Sequence, residues 1–240
     1  NDRALRNVTL GLGGRLDGIP RESGFDITAA SEVMAALALA TSLQDLRQKM
    51  GSIVVGYTKA NTPITAEDLG VAGAMTVILK EAIKPNLMQT LEGTPALVHT
   101  GPFGNIAHGC NSVIADRLGM KYADFVVTEA GFGADLGFEK FMHIKARFNN
   151  LEPTAVVLVA TIRALKAHAS VQTSKLDTPN KEAVINGMVN LKHLIRVVRS
   201  FNLPVVVAIN KFPSDTQSEV SIVKELCKTA GAYATVESNV

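Results

Sequence analysis

Four segments place glycines, histidines, cations or an aromatic–proline pair directly after an apolar run, where a parallel sheet would present them to a ligand. The first is HTGPFGNIAHGCNS, residues 99–112. Gly101, Pro102 and Gly104 predict an exposed turn, and Asn105 is placed to cap a helix beginning near Ile106. His99 and His108 would then lie by a helix amino end, which favours negative charge. The bland alternative is that His108 packs beneath the turn. In TEAGFGADLG, Gly131 and Gly133 surround Phe132, which lets backbone approach a phosphate without a Cβ in the way. Glu129 and Asp135 flank that loop, suited to an amine or a metal-bound phosphate, although Asp135 alone also reads as a helix cap.

The third segment, ATIRALKAH, carries Arg163, Lys166 and His168 past an apolar strand. Arg163 and Lys166 share a helical face that fits either an anionic ligand or water. The fourth, AINKFPSD, has the Asn and Lys of a purine-reading NKxD motif, but Asp215 stands five positions after Asn210 rather than three. Phe212 and Pro213 fill the gap. An aromatic followed by proline at a strand exit makes a rigid, flat wall, which favours stacking of a planar ring over hydrogen-bonded base readout. A fifth candidate, GLGG at residues 11–14, lacks the third glycine and the following helix of a dinucleotide fingerprint, and reads as a turn.

The elements that must carry these loops follow from hydrophobic pattern. Apolar, β-branched runs at 8–11, 53–57, 96–99, 125–128, 155–161 and 204–210 predict strands buried on both faces. Helical periodicity falls at 29–48, 66–81, 106–118, 138–147 and 180–201. Such alternation predicts an α/β fold, a mostly parallel sheet covered by helices and joined by right-handed crossovers. Residues 51–68 predict a small hairpin-like side lobe, with Thr65 and Asp68 arranged as a capping box for a helix from Ala66. The organisation expected is a side lobe with part of the central domain over 1–95, and a parallel α/β portion bearing the site loops over 96–240.

Composition narrows the function. Lys and Arg number 24 against 22 Asp and Glu, a formal charge of +2, so there is no broad electrostatic field for nucleic acid and an anion must be held locally. Two cysteines, Cys110 and Cys227, make neither a disulfide framework nor a metal-binding spacing, which predicts a reducing, cytoplasmic setting. No apolar run approaches the roughly 20 residues that span a bilayer. The opening NDRALRN lacks the form of a signal peptide, and both ends read as cut within a longer protein.

Six phrases together carry a family resemblance: GFDITAASEVMA, EAIKPNLMQTLEGTP, GPFGNIAHGCNS, VVTEAGFGADLG, VLVATIRALKAH and VVVAINKFPSDT. Through essentially its whole length the chain closely resembles formate–tetrahydrofolate ligase, also called formyltetrahydrofolate synthetase. The resemblance implies a P-loop NTPase-like large domain, here incomplete, and a cytoplasmic homo-oligomer, a homotetramer, of one-carbon metabolism. Its ligands would be formate, ATP with Mg2+, tetrahydrofolate and a monovalent cation, with no nucleic-acid or membrane partner. In such enzymes formate is phosphorylated to formyl phosphate, which the N10 amine of tetrahydrofolate attacks to give 10-formyltetrahydrofolate.

Carried over by motif, Phe212 and Pro213 match the folate-side wall, and Gly131, Phe132, Gly133, Glu129 and Asp135 match the formyl phosphate and nucleotide region. His99, Asn105, His108, Arg163, Lys166 and Asn210 are the expected supporting residues, and no metal ligand is assigned. Three departures bear on activity. The family's P-loop lysine and its formyl phosphate arginine would precede Asn1, and the tryptophan completing the pterin sandwich would follow Val240, so no catalytic residue is assigned and the chain alone is expected to be inactive. Smaller changes put His168-Ala169-Ser170 where HGG is usual, and Lys211 where some members have NAF. A noncatalytic folate-binding or oligomer-forming module is the alternative of a different class, and a GTPase a distant third.

Overall fold

The computed structural model describes residues 3–239. They divide into two compact units: the first runs to Phe132 and includes Lys140–Asn149, and the second takes Gly133–Glu139 and the chain from Asn150 onward.

In the first unit, β1 (Val8–Leu10) pairs with β2 (Arg21–Ser23) as an antiparallel hairpin. The helix expected over 29–48 is two helices, α1 (Glu32–Leu39) and α2 (Leu43–Gly51). They divide because Ser42 is a strong N-cap, its hydroxyl accepting from Asp45 N, while the Asp45 carboxylate accepts from Thr41 N at 2.8 Å. Their apolar faces close with Ala72 over a core of Leu37, Ala40, Leu46 and Met50. Then come β3 (Val54–Tyr57) and β4 (Pro63–Thr65), α3 (Ala72–Ile78), β5 (Asn86–Gln89) and β6 (Pro95–Val98), and α4 (Val113–Tyr122). The unit closes on a π-helical stretch, Phe141–Ala146, leading into α5 (Arg147–Asn149).

Three runs depart from the expected parallel sheet. The runs at 8–11, 53–57 and 96–99 do form strands, but each sits in an antiparallel hairpin and none is buried on both faces. Local turn chemistry closes the last two pairs before any crossover can form. In TKANT, Thr58 N donates to Thr62 O at 2.9 Å and Thr62 N to Thr58 Oγ1 at 3.1 Å, with Asn61 at φ 64. TLEGT repeats the device, with Thr90 N to Thr94 O at 2.9 Å, Thr94 N to Thr90 Oγ1 at 3.1 Å, and Gly93 at φ 85. The strand expected at 125–128 is absent: Phe125 and Val127 are exposed, and the adjacent backbone makes only the isolated bridge between Cys110 and Ala130. Thr65 and Asp68 form their reciprocal box, yet it closes a single turn that stops at Gly70 (φ 68), and α3 starts afresh at Ala72.

The second unit bears out the α/β reading. Here β7 (Val156–Ala160), α6 (Ile162–His168), α7 (Lys181–Ser200), β8 (Val205–Lys211), α8 (Gln217–Thr229) and β9 (Ala234–Asn239) build a parallel sheet in the order β7-β8-β9. Neither α8 nor β9 was anticipated, although Thr-x-x-Glu at Thr216 and Glu219 forms a full capping box and was there to be read. Every second residue of β8, Val205, Val207 and Ile209, is buried, and both α6 and α7 pack beside the strand. On β7 the alternation leaves Val157 and Val159 exposed beside buried Leu158, so that strand is not covered on both faces. At the crossing of α6 and α7 a glycine is required for space: a Cβ on Gly187 would lie 1.8 Å from the Leu165 carbonyl oxygen. Among the described residues no helix is long and apolar enough to cross a membrane.

Candidate functional site

Parallel pairing explains why the exits of β7 and β8 meet. Ala160 stands opposite Ile209, so ATIRALKAH and AINKFPSD leave the sheet side by side at its carboxyl edge. Thr161 caps α6 by accepting from Ala164 N at 3.0 Å. Arg163, half-buried in the first turn, puts its Nη1 2.5 Å from Asp177 Oδ1 and its guanidinium carbon 5.8 Å from the centre of the Phe212 ring. Ser214 Oγ donates to the same Asp177 oxygen at 3.2 Å.

The Phe212–Pro213 turn is built from its own backbone and one carboxylate. Phe212 N donates to Asp215 Oδ2 at 2.9 Å, and Asp215 N returns a bond to Phe212 O at 3.0 Å. Asp215 is buried while Phe212 is 38% exposed, so the locked turn leaves an aromatic residue in reach of a ligand. Asn210 is half-buried in β8, opposite Ser238 of β9. Lys211 is not a free charge, since Glu237 holds it at 3.2 Å and also pairs with Lys224 at 2.6 Å.

Lys166 departs most from expectation. Instead of sharing an open face with Arg163, it is fully buried. Its Nζ lies 2.8 Å from Glu219 Oε1 and donates to the carbonyls of Leu176 and Thr178 at 3.2 and 3.0 Å. Glu219 accepts in addition from Asn180 N at 2.8 Å and from Thr216 Oγ1 at 2.7 Å. Burial opposes ionisation of this carboxyl, but Lys166 and the backbone and hydroxyl donors outweigh it and hold it down to about 2. Lys166 thus ties α6, α7 and α8 together, and no anion can reach it. His168 remains exposed at the end of α6.

In the first unit, HTGPFGNIAHG and TEAGF are stitched together through glycines. A Cβ on Gly131 would lie 2.8 Å from Gly109 O, and one on Gly104 would lie 2.7 Å from Phe132 Cδ2. Gly131 therefore serves close approach of backbone to backbone, a use that competes with the phosphate contact expected of it. Phe132 itself is held at φ 66 and is 69% exposed, with Glu129 also exposed. Asn105 caps nothing: it is exposed in a turn, and the helix expected from Ile106 starts at Val113, capped by Ser112.

Both histidines of the segment are buried. His99 Nε2 faces the Ala82 carbonyl at 2.7 Å, which can only accept, so that nitrogen carries a proton; Nδ1 lies 2.6 Å from Ser112 Oγ. His99 is thereby a strut beneath the N-cap of α4. His108 Nδ1 accepts from Cys110 N at 3.3 Å, and its Nε2 has no hydrogen-bond partner. Burial, reinforced by the Lys145 and Lys140 charges and only partly offset by the nearby Ala35 carbonyl, lowers its pKa to about 4. Lys145, which sequence reading passed over, is fully buried 2.6 Å from Asp116 and 2.9 Å from Asn111 Oδ1. Its position inside the apolar run FMHIKA was the available signal.

The other half of the glycine loop belongs to the second unit. Gly133 precedes a π-helical turn, Ala134–Phe138, and a Cβ on it would meet Asp135 Oδ1 at 2.6 Å. The N-cap position is taken by Gly133, which has no side chain to cap with, and Asp135 stands inside the first turn, where its charge faces the helix amino end.

The sequence profile of one family, formate–tetrahydrofolate ligase, matches residues 1–240. The chain belongs to the formate–tetrahydrofolate ligase family. Members are ATP-dependent ligases that join formate to tetrahydrofolate. In this ligase chain Cys110 and Cys227 are buried and free, and burial pushes both thiols up to about 11, which removes them as nucleophiles near neutral pH. Ser170 closes α6 at a position whose backbone favours glycine. Ser170 N bonds to Ala167 O at 2.9 Å and Val171 N to Lys166 O at 3.2 Å, the paired bonds of a Schellman helix end, with Ser170 at φ 63. A serine holds a left-handed conformation that glycine adopts without strain.

Proposed function

We propose that this protein makes 10-formyltetrahydrofolate through formyl phosphate, with the Phe212–Pro213 turn as the wall on which the pterin stacks. The observation that carries the reading is the exposed Phe212 ring, locked by Asp215 at the carboxyl edge of a parallel sheet, in a chain matched throughout by the ligase family. Formate is a poor acyl donor. Its oxygen attacks the γ-phosphorus of ATP and displaces ADP; the N10 amine then attacks the formyl carbon, phosphate leaves with the C–O bond pair, and the amine loses its proton. Both steps need the partners held together with water excluded.

Within this reading Gly131, Phe132, Gly133, Glu129 and Asp135 line the formyl phosphate and nucleotide side. His99 and His108 act by holding that loop in place, since their ring nitrogens are buried. Arg163 and Asn210 support the folate side. Among the described residues no group of three or more His, Cys, Asp or Glu is gathered around one point, so we assign Mg2+ to the phosphates of its nucleotide substrate. A cytoplasmic homo-oligomer completes the assignment.

Phe212→Ala in the intact protein tests it. Loss of one aromatic stacking surface should raise the tetrahydrofolate KM about tenfold or more while formate-dependent ATP turnover holds. Equal damage to both would contradict the stacking role. For the phosphate side, Gly133→Val displaces Asp135, and unchanged formate and ATP kinetics would remove Gly133 from it. Folate binding with no formate-dependent ATP turnover in the unmodified protein would replace the ligase reading by that of a binding module.

A further inference from the structure

We infer that Arg163 is a positioning residue, which occupies one face of Phe212 so that a planar ring can stack only on the other. The inference rests on the assignment of Phe212 to the pterin.

Three observations within the second unit meet at this point. The guanidinium carbon of Arg163 lies 5.8 Å from the Phe212 ring centre, within the range at which a cation is attracted to an aromatic face. The same guanidinium is held by Asp177 at 2.5 Å, so it does not swing freely over the ring. Asp177 also accepts from Ser214 Oγ at 3.2 Å, which ties the clamp to the very turn that carries Phe212. The backbone of that turn is already locked by Asp215 at 2.9 Å. What Asp215 leaves free is rotation of the side chain about χ1 and χ2, and Arg163 over the ring restrains it.

The consequence is for binding. An unrestrained, 38% exposed phenylalanine must lose rotamer freedom whenever a ligand stacks on it; one held from one side has lost that freedom beforehand. A guanidinium suits the task better than an ammonium because it is planar and lies flat on a ring while keeping its fork for a carboxylate. Asp177 neutralises the charge, so Arg163 presents little net attraction to an anion and acts through Phe212.

Steady-state kinetics of Arg163→Ala, Arg163→Lys, Phe212→Ala and the double variant Arg163→Ala/Phe212→Ala in the intact protein decide the matter. Arg163→Ala should raise the tetrahydrofolate KM about threefold with kcat changed by less than about twofold. Arg163→Lys, which keeps the charge and can keep the Asp177 pair, should fall between it and the unmodified protein. In the double variant the KM should equal that of Phe212→Ala alone, because a positioning group has no effect once the positioned ring is gone. Multiplying KM effects in the double variant would mean that Arg163 touches folate directly, which overturns the inference and leaves stacking intact. So would an unchanged KM in Arg163→Ala beside a raised KM in Phe212→Ala. An unchanged KM in Phe212→Ala overturns the stacking reading, and the inference with it. Arg163 is half-exposed and outside the core, and Arg163→Lys keeps the test open should the alanine variant fold poorly.

Discussion

Around the strand exits of the second unit, polar groups are held by other side chains; in the glycine-stitched loops of the first, they are held chiefly by backbone. Lys166 is buried against Glu219 and Arg163 is clamped by Asp177, so each cation has a carboxylate of its own. His99 and His108 instead meet the Ala82 carbonyl and the Cys110 amide, and His108 keeps one nitrogen unpaired. A charge can be buried where a counter-charge arrives with it, whereas an imidazole can be buried by giving up its charge. A second contrast, of burial alone, lies inside α6, where Arg163 and Lys166 are one turn apart and only Lys166 is sealed from solvent.

The sharpest way to break the contrast is Lys166→Met. It leaves Glu219 buried without its cation and should destabilise the second unit by about 3–5 kcal/mol, against about 1 kcal/mol or less for Arg163→Ala, both read from urea unfolding. Similar losses for the two would mean that burial does not distinguish these cations.

A smaller effect is expected of pH on the first unit. His108 has its pKa lowered from 6.5 to about 4, so the unfolded chain takes up a proton that the folded one refuses. Its contribution is fully present above 6.5 and is lost as pH falls toward about 4, amounting to a loss on the order of 2 kcal/mol near pH 4.5. His108→Asn should flatten that part of the stability profile, and an unaltered slope between neutral pH and about pH 4.5 would show that His108 titrates normally. Glu219, held down to about 2, adds its own loss only as pH falls below its ordinary value of 4.5 toward about 2, so the two units should weaken in different windows.

The smallest change tests the end of α6. Ser170→Gly should stabilise by up to about 1 kcal/mol, because glycine takes the left-handed conformation at φ 63 without a Cβ penalty, offset in part by the greater freedom of glycine in the unfolded chain. A fall in melting temperature would mean that the Ser170 side chain contributes something the backbone bonds do not.

Much of this fold was legible in residues close together in sequence. The apolar runs at 155–161 and 204–210 are strands within a residue or so of where pattern places them, and the helix expected over 180–201 is α7. Misreadings fell where local turn chemistry competes with hydrophobic pattern: TKANT and TLEGT close hairpins, and Ser42 starts a helix inside what periodicity reads as one. At the candidate site, the tightness of the FPSD turn was legible, since Phe212 and Asp215 bond to one another across three residues. Asp177 and Ser214 were not, because their value depends on Arg163, which only the fold brings to them.

By itself the sequence determined the strands β7 and β8, the helix α7 and the long motifs that mark a formate–tetrahydrofolate ligase chain, because all of these depend on short-range pattern. The tertiary structure alone decided which polar groups remain free for a ligand. Lys166 and Arg163 are equivalent as letters on one helix face, and His99 and His108 as histidines beside a glycine turn. Burial and the nearest counter-charge separate Lys166 from Arg163, while hydrogen bonding separates His99, with both ring nitrogens partnered, from His108, with one unpartnered; each outcome is set by residues distant in the chain, such as Glu219, Asp177 and Ala82.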